Sequence, residues 1–152
     1  MEYLSDWQSF QVECTGERVF QDKVIHCYNN KVHGTVDMKS ALAYSCNCYF
    51  AALADEIGAG KLAKTMRQVG MDADSRFELE TSRNSIYLAK GATESELVET
   101  AIGQGRTGVT PLYMAMLASA FANDGMMMRP YIVDHVVYPD GTETKNTVPE
   151  KL

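Results

Sequence analysis

The sequence predicts a mainly α-helical domain with small β-hairpins. Apolar residues recur with helical spacing in several segments, and most of these segments begin at a capping residue or end at a glycine. The pair Thr110-Pro111 marks the start of a long helix with little ambiguity. The segments with strand-like composition are short and lie beside turn sequences such as Pro139-Asp140-Gly141.

The helix boundaries follow from capping residues. Asp37 can accept hydrogen bonds from the free N–H groups at the start of a helix that runs through Tyr44. Thr110 can do the same for the last helix, because Pro111 at the first helical position loses no needed N–H group. The first four predicted helices cover 38–44, 45–57, 61–69 and 94–102, and the fifth runs from Pro111 to Asn123-Asp124-Gly125.

Two β elements are predicted. Residues 10–14 and 19–27 surround Thr15-Gly16-Glu17, which indicates a short hairpin. Residues 131–138 read as a strand that ends at the turn 139–141. The polar stretch 72–90 is predicted to be irregular.

Composition restricts the classes of function. A chain of 152 residues with a formal net charge of −6 and no cluster of Lys or Arg is not expected to bind nucleic acid. Its apolar runs are shorter than the roughly 18 residues of a membrane span, and no signal-peptide pattern opens it. We therefore expect any secretion signal or membrane anchor to lie outside this chain.

A polar triplet, Ser45-Cys46-Asn47, lies between the first two predicted helices. Such S-x-N triplets arise often by chance, so the flanking sequence decides its meaning. The segment 33–50 resembles the S-x-N segment of penicillin-binding proteins. The segments 101–105 and 109–115, followed by 123–125 and Arg129-Pro130, resemble the later part of the same transpeptidase domain.

This resemblance to class B enzymes of the elongation or division type implies the helical portion of the penicillin-binding protein and serine β-lactamase-like fold. The family's site uses S-x-x-K, S-x-N and K-[ST]-G. Only S-x-N occurs in this chain. We therefore expect residues 1–152 to form a single partial transpeptidase domain, with S-x-x-K before residue 1 and K-[ST]-G after residue 152, and to be inactive alone.

The resemblance also implies roles for the triplet. Ser45 would relay a proton near the serine nucleophile, and Asn47 would hold the amide of a peptidoglycan stem peptide or of a β-lactam. The intact protein would be a D,D-transpeptidase at the extracytoplasmic face of the bacterial plasma membrane, with no catalytic cofactor. Alternatively, Ser45 is only a helix cap and Asn47 a first-turn polar residue.

A second group of residues suggests a structural zinc site. Cys14, Cys27, His33 and Cys46 supply three thiolates and an imidazole, a common zinc ligand set, although their spacing is not that of a zinc finger. A Cys14–Cys27 disulfide and four reduced, buried thiols are the alternatives. Some elongation-type members of the family carry metal ligands in this region, and Cys48 and His26 are left as bystanders.

Two other interpretations of the chain stay open at this point. One is a non-catalytic homologue, either a β-lactam sensor or a structural partner. The other is a small zinc-stabilised binding domain unrelated to these enzymes. Apolar helix faces left exposed in this chain are also expected to favour self-association.

Overall fold

The computed structural model describes residues 4–88, 91–145 and 148–152. The described residues fall into two compact units. The first lies within Met1–Gln68 and Ile86–Thr107, and the second within Val69–Ser85 and Gly108–Leu152. The predicted site residues all belong to the first unit.

Five α-helices occur in the described residues, close to the predicted positions. Asp37 caps the first through a capping box with Ser40, and Thr110 caps the last, as predicted. The fourth carries a capping box between Thr93 and Glu96. The helices are α1 (Met38–Tyr44), α2 (Asn47–Ile57), α3 (Ala59–Gln68), α4 (Glu94–Ala101) and α5 (Pro111–Ala122).

Six short strands of the described chain form three two-stranded antiparallel sheets. They are β1 (Val12–Cys14), β2 (Glu17–Phe20), β3 (Lys23–His26), β4 (Gly34–Val36), β5 (His135–Val137) and β6 (Glu143–Lys145). β1 pairs with β4, β2 with β3, and β5 with β6. The mainly α-helical class with small hairpins is therefore confirmed.

The predicted hairpin between 10–14 and 19–27 is wrong in its pairing. β1 pairs with β4 instead, and β2 and β3 form a hairpin of their own around Gln21 and Asp22. This turn carries one turn-favouring residue, Asp22, but no Gly, Asn or Pro. A distant residue stabilises it, because the N–H of Gln21 donates to the Glu94 carboxylate at 2.6 Å.

Cys14 and Cys27 nevertheless come together, because the chain crosses itself closely beside β1. The N–H of Cys27 donates to the carbonyl oxygen of Gly16 at 2.8 Å. Gly16 has φ +97°, and a Cβ atom there would lie 2.3 Å from the carbonyl oxygen of Asn30. Only glycine allows this approach, so Gly16 fixes the crossing that places the two thiols together.

Helix α2 forms the centre of the first unit. Its buried residues Cys48 and Tyr49 face β1, β4 and α1, whereas Ala51 faces the β2–β3 hairpin and α4. Ala54 packs in a third cluster with Leu88 and residues of α3 and α4. The segment that carries the S-x-N triplet thus leads directly into the most buried helix of this unit.

The second unit is built around α5. Buried residues of α5 include Tyr113, whose hydroxyl donates to the carbonyl of Val69 at 3.0 Å. The predicted strand 131–138 is shorter than expected, since the N–H groups of Ile132 and Val133 donate to the Glu78 carboxylate rather than to a strand. The predicted turn at 139–141 is confirmed by the β5–β6 hairpin.

The segment 72–88 has no helix and only an isolated β-bridge, at Ser85, which agrees with the prediction of irregular structure. Residues 89 and 90 of that prediction lie outside the described residues. Among the residues that are described, no helix is long and apolar enough to cross a lipid bilayer.

Candidate active-site turn and thiol–imidazole cluster

The turn between α1 and α2 places Ser45 at the surface. Ser45 ends α1 rather than beginning α2 as predicted, and its backbone is left-handed, with φ 53° and ψ 49°. Its N–H donates to the carbonyls of Ala41 and Leu42, which closes the last turn of α1. A left-handed residue other than glycine costs about 1 kcal/mol or more, and such strain is typical of functional positions.

The three residues of the triplet face alternate directions. Ser45 is exposed, Cys46 is fully buried and Asn47 is half-buried. This confirms that the Cys46 side chain points away from those of its two neighbours. The Asn47 side-chain amide donates from Nδ2 to the carbonyl oxygen of His26 at 2.8 Å. The end of β3 therefore sets which way the carboxamide is turned.

The four predicted metal ligands converge on one point beneath this turn. One ligand atom from each of Cys14, Cys27, His33 and Cys46 lies within 4.8 Å of the other three. The Cys14 Sγ is 3.6 Å from the Cys27 Sγ and 3.5 Å from the His33 Nδ1. The Cys27 Sγ is 3.9 Å from the Cys46 Sγ. We call these four residues the thiol–imidazole cluster.

These separations fit a tetrahedral zinc ion. Zinc–sulfur bonds of about 2.3 Å and zinc–nitrogen bonds of about 2.05 Å give tetrahedral edges of roughly 3.8 Å between sulfurs and roughly 3.6 Å between sulfur and nitrogen. The observed distances of 3.6, 3.9 and 3.5 Å lie close to those edges. The cysteines are all free, and 3.6 Å is far longer than a disulfide bond of about 2.05 Å.

Neighbouring groups shift the pKa values of two cluster thiols, Cys14 and Cys46, in opposite directions. Burial raises the pKa of Cys14, but the backbone N–H groups of Gly16 and His33, together with neighbouring thiols, outweigh burial and lower that pKa to about 6. Burial raises the pKa of Cys46 to about 12. Cys14 is thus the thiol most ready to become a thiolate.

Comparison with known proteins identifies the family. A family model described as the penicillin binding protein transpeptidase domain matches residues 8–152. The chain belongs to this transpeptidase family. Its membership excludes the alternative of an unrelated zinc-stabilised domain, and it agrees with the resemblance seen around Ser45-Cys46-Asn47.

Relatives of the transpeptidase family match most of the chain. Peptidoglycan D,D-transpeptidase PbpA of Mycolicibacterium smegmatis is 36% identical over 124 residues, which is 77% of this chain and 24% of the relative. Peptidoglycan D,D-transpeptidase MrdA of Acinetobacter baumannii is 29% identical over 110 residues, which is 66% of this chain and 16% of the relative. The chain thus spans about a quarter or less of the length of these relatives.

Solved transpeptidase structures confirm the predicted fold class. The crystal structure of PBPA from Mycobacterium tuberculosis superposes with a TM-score of 0.84 at 26% identity, over 95% of this chain and 35% of that chain. The ceftriaxone acyl-enzyme complex of penicillin-binding protein A from M. tuberculosis gives the same TM-score and identity, over 95% of this chain and 33% of that chain.

Cys48 and His26, which the sequence left as bystanders, both lie beside the predicted site residues. The Cys48 Sγ lies 3.6 Å from the Cys27 Sγ, and the His26 carbonyl accepts the Asn47 amide. Each is next to a residue of interest, since Cys48 follows Asn47 and His26 precedes Cys27. This adjacency in the sequence could have drawn attention to both residues. Their contacts could be recognised only once β3 was known to pass beside the start of α2.

The cluster is connected to the S-x-N turn by three short routes. Cys46 is the central residue of the triplet itself. The His33 ring stacks on the Tyr44 ring, with centroids 5.6 Å apart and planes 18° apart, and Tyr44 directly precedes Ser45. The His26 carbonyl that holds Asn47 directly precedes Cys27. A displacement of the cluster would therefore be transmitted to both Ser45 and Asn47.

Proposed function

We propose that this chain is part of a D,D-transpeptidase that cross-links peptidoglycan stem peptides and is acylated by β-lactams. The observation that carries the proposal is an exposed S-x-N turn within a segment that matches the transpeptidase domain along 8–152. Relatives named peptidoglycan D,D-transpeptidases and acyl-enzyme complexes of penicillin-binding protein A support it. The reaction is an acyl transfer through a serine ester.

Ser45 and Asn47 would have different roles in the reaction, proton transfer and substrate binding respectively. The Ser45 hydroxyl both donates and accepts a proton, so it can pass one between the nucleophile's lysine and the leaving nitrogen. The Asn47 Nδ2 already donates to the His26 carbonyl, which turns Oδ1 away from that backbone. Oδ1 and the second N–H are then available to hold the amide of a stem peptide or β-lactam.

The remaining catalytic groups would come from other segments of the same protein. We infer that the nucleophilic serine with its lysine, in S-x-x-K, precedes residue 1 and that K-[ST]-G follows residue 152. Residues 1–152 are then one part of a single transpeptidase domain that works at the extracytoplasmic face of the plasma membrane. Any membrane anchor lies outside this chain, and no cofactor takes part in the acyl transfer.

We further propose that the thiol–imidazole cluster holds a structural zinc ion. Three thiolates and one imidazole are a common structural zinc set, and three of their six separations lie close to the edges of a zinc tetrahedron, with all six within 4.8 Å. Bound zinc would supply no bond-making chemistry here. Its contribution would be to fix Cys46, Cys27 and His33, and through them the two polar residues of the turn.

Self-association of this chain is proposed from the surface of α5. Met114 and Phe121, seven residues apart on this helix, are 48% and 84% exposed. Apolar side chains presented on one helix face favour pairing with another apolar surface. Size-exclusion chromatography should show elution that moves to larger size as concentration rises, and a clean monomer at all concentrations would contradict this point.

The catalytic proposal is tested in a protein that carries this segment together with S-x-x-K and K-[ST]-G. Ser45→Ala and Asn47→Ala should each slow acylation by a fluorescent penicillin about 10²- to 10⁴-fold, the usual range for loss of a proton-relay or positioning group. Ser9→Ala is the matched control, because Ser9 is an exposed serine that bonds only locally, to the Asp6 carbonyl.

Two outcomes would change the proposal. Normal acylation in both variants would remove Ser45 and Asn47 from the site. Normal acylation of the unmodified protein without turnover of a stem-peptide substrate would favour the non-catalytic β-lactam sensor instead of the transpeptidase.

A further inference from the structure

Helix α4 holds the turn of the β2–β3 hairpin through two carboxylates. The N–H of Gln21, in the turn, donates to the Glu94 carboxylate at 2.6 Å. Lys23, the first residue of β3, forms an ion pair with Glu99. Glu94 begins α4 and Glu99 lies in its second half, so one helix holds the turn at two points. We call these two contacts the α4 clamp.

The hairpin has little support of its own. Within the described residues its sheet contains two strands only, and an isolated two-stranded hairpin is marginally stable in water. Its outer face carries Val19 and Val24, a directly opposed pair that is 71% and 41% exposed and so buries little apolar surface. The position of the hairpin therefore depends on the contacts of its inner face and of its turn.

The inner face of the hairpin packs against two helices at once. Phe20 and Ile25 form one buried cluster with Ala51 of α2 and Val98 of α4. Val98 is fully buried and directly precedes Glu99 in the sequence. The clamp and this apolar cluster thus fix the hairpin against α4, and the cluster also fixes it against α2.

Strand β3 leads from the clamp to the Asn47 side chain. Lys23 begins this strand and His26 ends it, and the His26 carbonyl accepts from the Asn47 amide at 2.8 Å. Asn47 and Ala51 are four residues apart, so they lie on one face of α2, and β3 passes over that face. A shift of β3 along α2 would therefore move the acceptor that orients Asn47.

We propose that Glu94 and Glu99 are positioning residues for the reaction, which hold β3 against α2 and thereby set the orientation of the Asn47 carboxamide. This inference rests on the role proposed above for Asn47 in holding the substrate amide. It is independent of the proposed zinc site, since neither carboxylate belongs to the thiol–imidazole cluster. Because the two carboxylates contact the hairpin turn and not the S-x-N triplet, their loss should act only through Asn47.

A double-mutant cycle in the full-length protein tests this route. The double variant Glu94→Ala/Glu99→Ala should slow acylation by a fluorescent penicillin about tenfold, because a misplacement of about 1 Å can cost about 100-fold and the hairpin keeps its apolar contacts. Added to Asn47→Ala, the same two substitutions should cause no further slowing. Independent effects would instead multiply, so a further slowing in the Asn47→Ala background would overturn the inference.

A second substrate separates positioning of Asn47 from general damage to the fold. 6-Aminopenicillanic acid has the β-lactam ring of a penicillin but lacks the side-chain amide that Asn47 would hold. Its acylation rate in the double variant, measured by competition with the fluorescent penicillin, should stay close to that of the unmodified protein. An equal loss of rate for both compounds would make the clamp merely structural and overturn the inference.

Rescue variants test each contact even if the alanine variant fails to fold. Glu94→Gln loses the charge at the start of α4 but keeps an oxygen that can accept from the Gln21 N–H, so it should acylate at the unmodified rate. Glu99→Lys places two cations together and should slow acylation, and Lys23→Glu added to it should restore both the ion pair and the rate. Slow acylation in either rescue variant, once circular dichroism shows it to be folded, would overturn the inference.

Glu150→Ala is the matched control and should acylate normally. Glu150 is an exposed carboxylate whose ion pairs, with Arg76 and Arg129, lie within the second unit. The outcomes also separate this inference from the function on which it rests. Normal acylation in Asn47→Ala would remove the role of Asn47, and the inference with it. Slow acylation in Asn47→Ala together with normal acylation in Glu94→Ala/Glu99→Ala would overturn the inference alone.

Discussion

The S-x-N turn and the thiol–imidazole cluster are adjacent but have opposite surroundings. The cluster cysteines are at most 3% exposed and pack against the buried residues of α2. Ser45 is exposed with a left-handed backbone, and Asn47 is held by a hydrogen bond to the His26 carbonyl. The two regions share Cys46, which lies between Ser45 and Asn47.

This contrast indicates how an exposed pair of polar side chains can be placed accurately. Packing cannot fix a side chain that faces solvent, so the position of Ser45 and Asn47 depends on the buried residues beside them. Both partners of the Asn47–His26 hydrogen bond adjoin cluster residues, Cys46 and Cys27. We infer that order in the cluster determines order in the turn.

The strongest predicted effect tests the proposed zinc site: removal of bound zinc should lower the free energy of unfolding of the chain. With Zn²⁺ at about 1,000 times its Kd, binding stabilises the folded chain by about 4 kcal/mol. His33→Ala should lose this term, because it deletes the imidazole ligand. Urea unfolding of the 152-residue chain, with and without a chelator, measures the difference.

His26→Ala is the matched control for that experiment. His26 is exposed, and its contribution to Asn47 comes from the backbone carbonyl, which the substitution retains. It should keep the chelator-sensitive stability of the unmodified chain. Equal sensitivity to the chelator in His33→Ala and the unmodified chain would exclude His33 as a ligand.

A smaller effect is expected on the rate of acylation, which depends on the S-x-N turn above the proposed zinc site. In a protein that carries all three motifs, His33→Ala should slow acylation by a fluorescent penicillin about 10- to 100-fold, the range found when a supporting residue is lost. Its causes would be the lost His33–Tyr44 stack and the loosened Cys46. An acylation rate equal to that of His26→Ala would show that the turn is independent of the cluster.

Local signals made much of the fold predictable. Asp37, Thr110 and Pro111 fix helix starts by chemistry that acts within one turn, and the helices begin where these residues indicate. The four residues of the cluster were also singled out from the sequence, because Cys and His are rare enough for five of them within residues 14–46 to be informative, and the structure brings four of the five together.

The parts that failed depend on distant contacts. The β2–β3 turn is stabilised by Glu94, more than 70 residues away, and its one turn-favouring residue, Asp22, is a weak signal in isolation. The start of α2 was misplaced because Ser45 is a good helix cap in isolation, yet it adopts the left-handed conformation usually left to glycine. The contacts of Cys48 with Cys27 and of His26 with Asn47 depend on the approach of β3 to α2, which the sequence does not show.

A third experiment tests the backbone strain at Ser45 separately from the role of its hydroxyl. Ser45→Gly should raise the free energy of unfolding by about 1 kcal/mol, because glycine adopts positive φ without a Cβ clash. Ser45→Ala keeps the clash and should change stability little. Both variants lack the hydroxyl, so both should be defective in acylation. Equal stabilities for the glycine and alanine variants, measured by urea unfolding, would show that the backbone here stores no strain.

The weakest of these effects is a pH dependence of stability at the N-terminus of α1, where Asp37 is the cap. The Ser40 hydroxyl and backbone N–H bond to the Asp37 carboxylate and hold the pKa of Asp37 below its usual value of about 3.9. A lowered pKa in the folded state means that this stabilisation is complete above the unfolded value and is lost as pH falls through the folded one.

Asp37→Asn keeps a good capping residue but cannot titrate, so it isolates that effect. At neutral pH the unmodified chain should be the more stable of the two, because a carboxylate also interacts favourably with the N-terminus of α1. Urea unfolding from pH 7 down to about pH 2.5 should show this advantage shrinking below about pH 4. A stability difference that stays constant over the whole pH range would mean that the Asp37 charge does not stabilise α1. The Asp37 cap, at the start of the helix that ends at Ser45, would then act through hydrogen bonding alone.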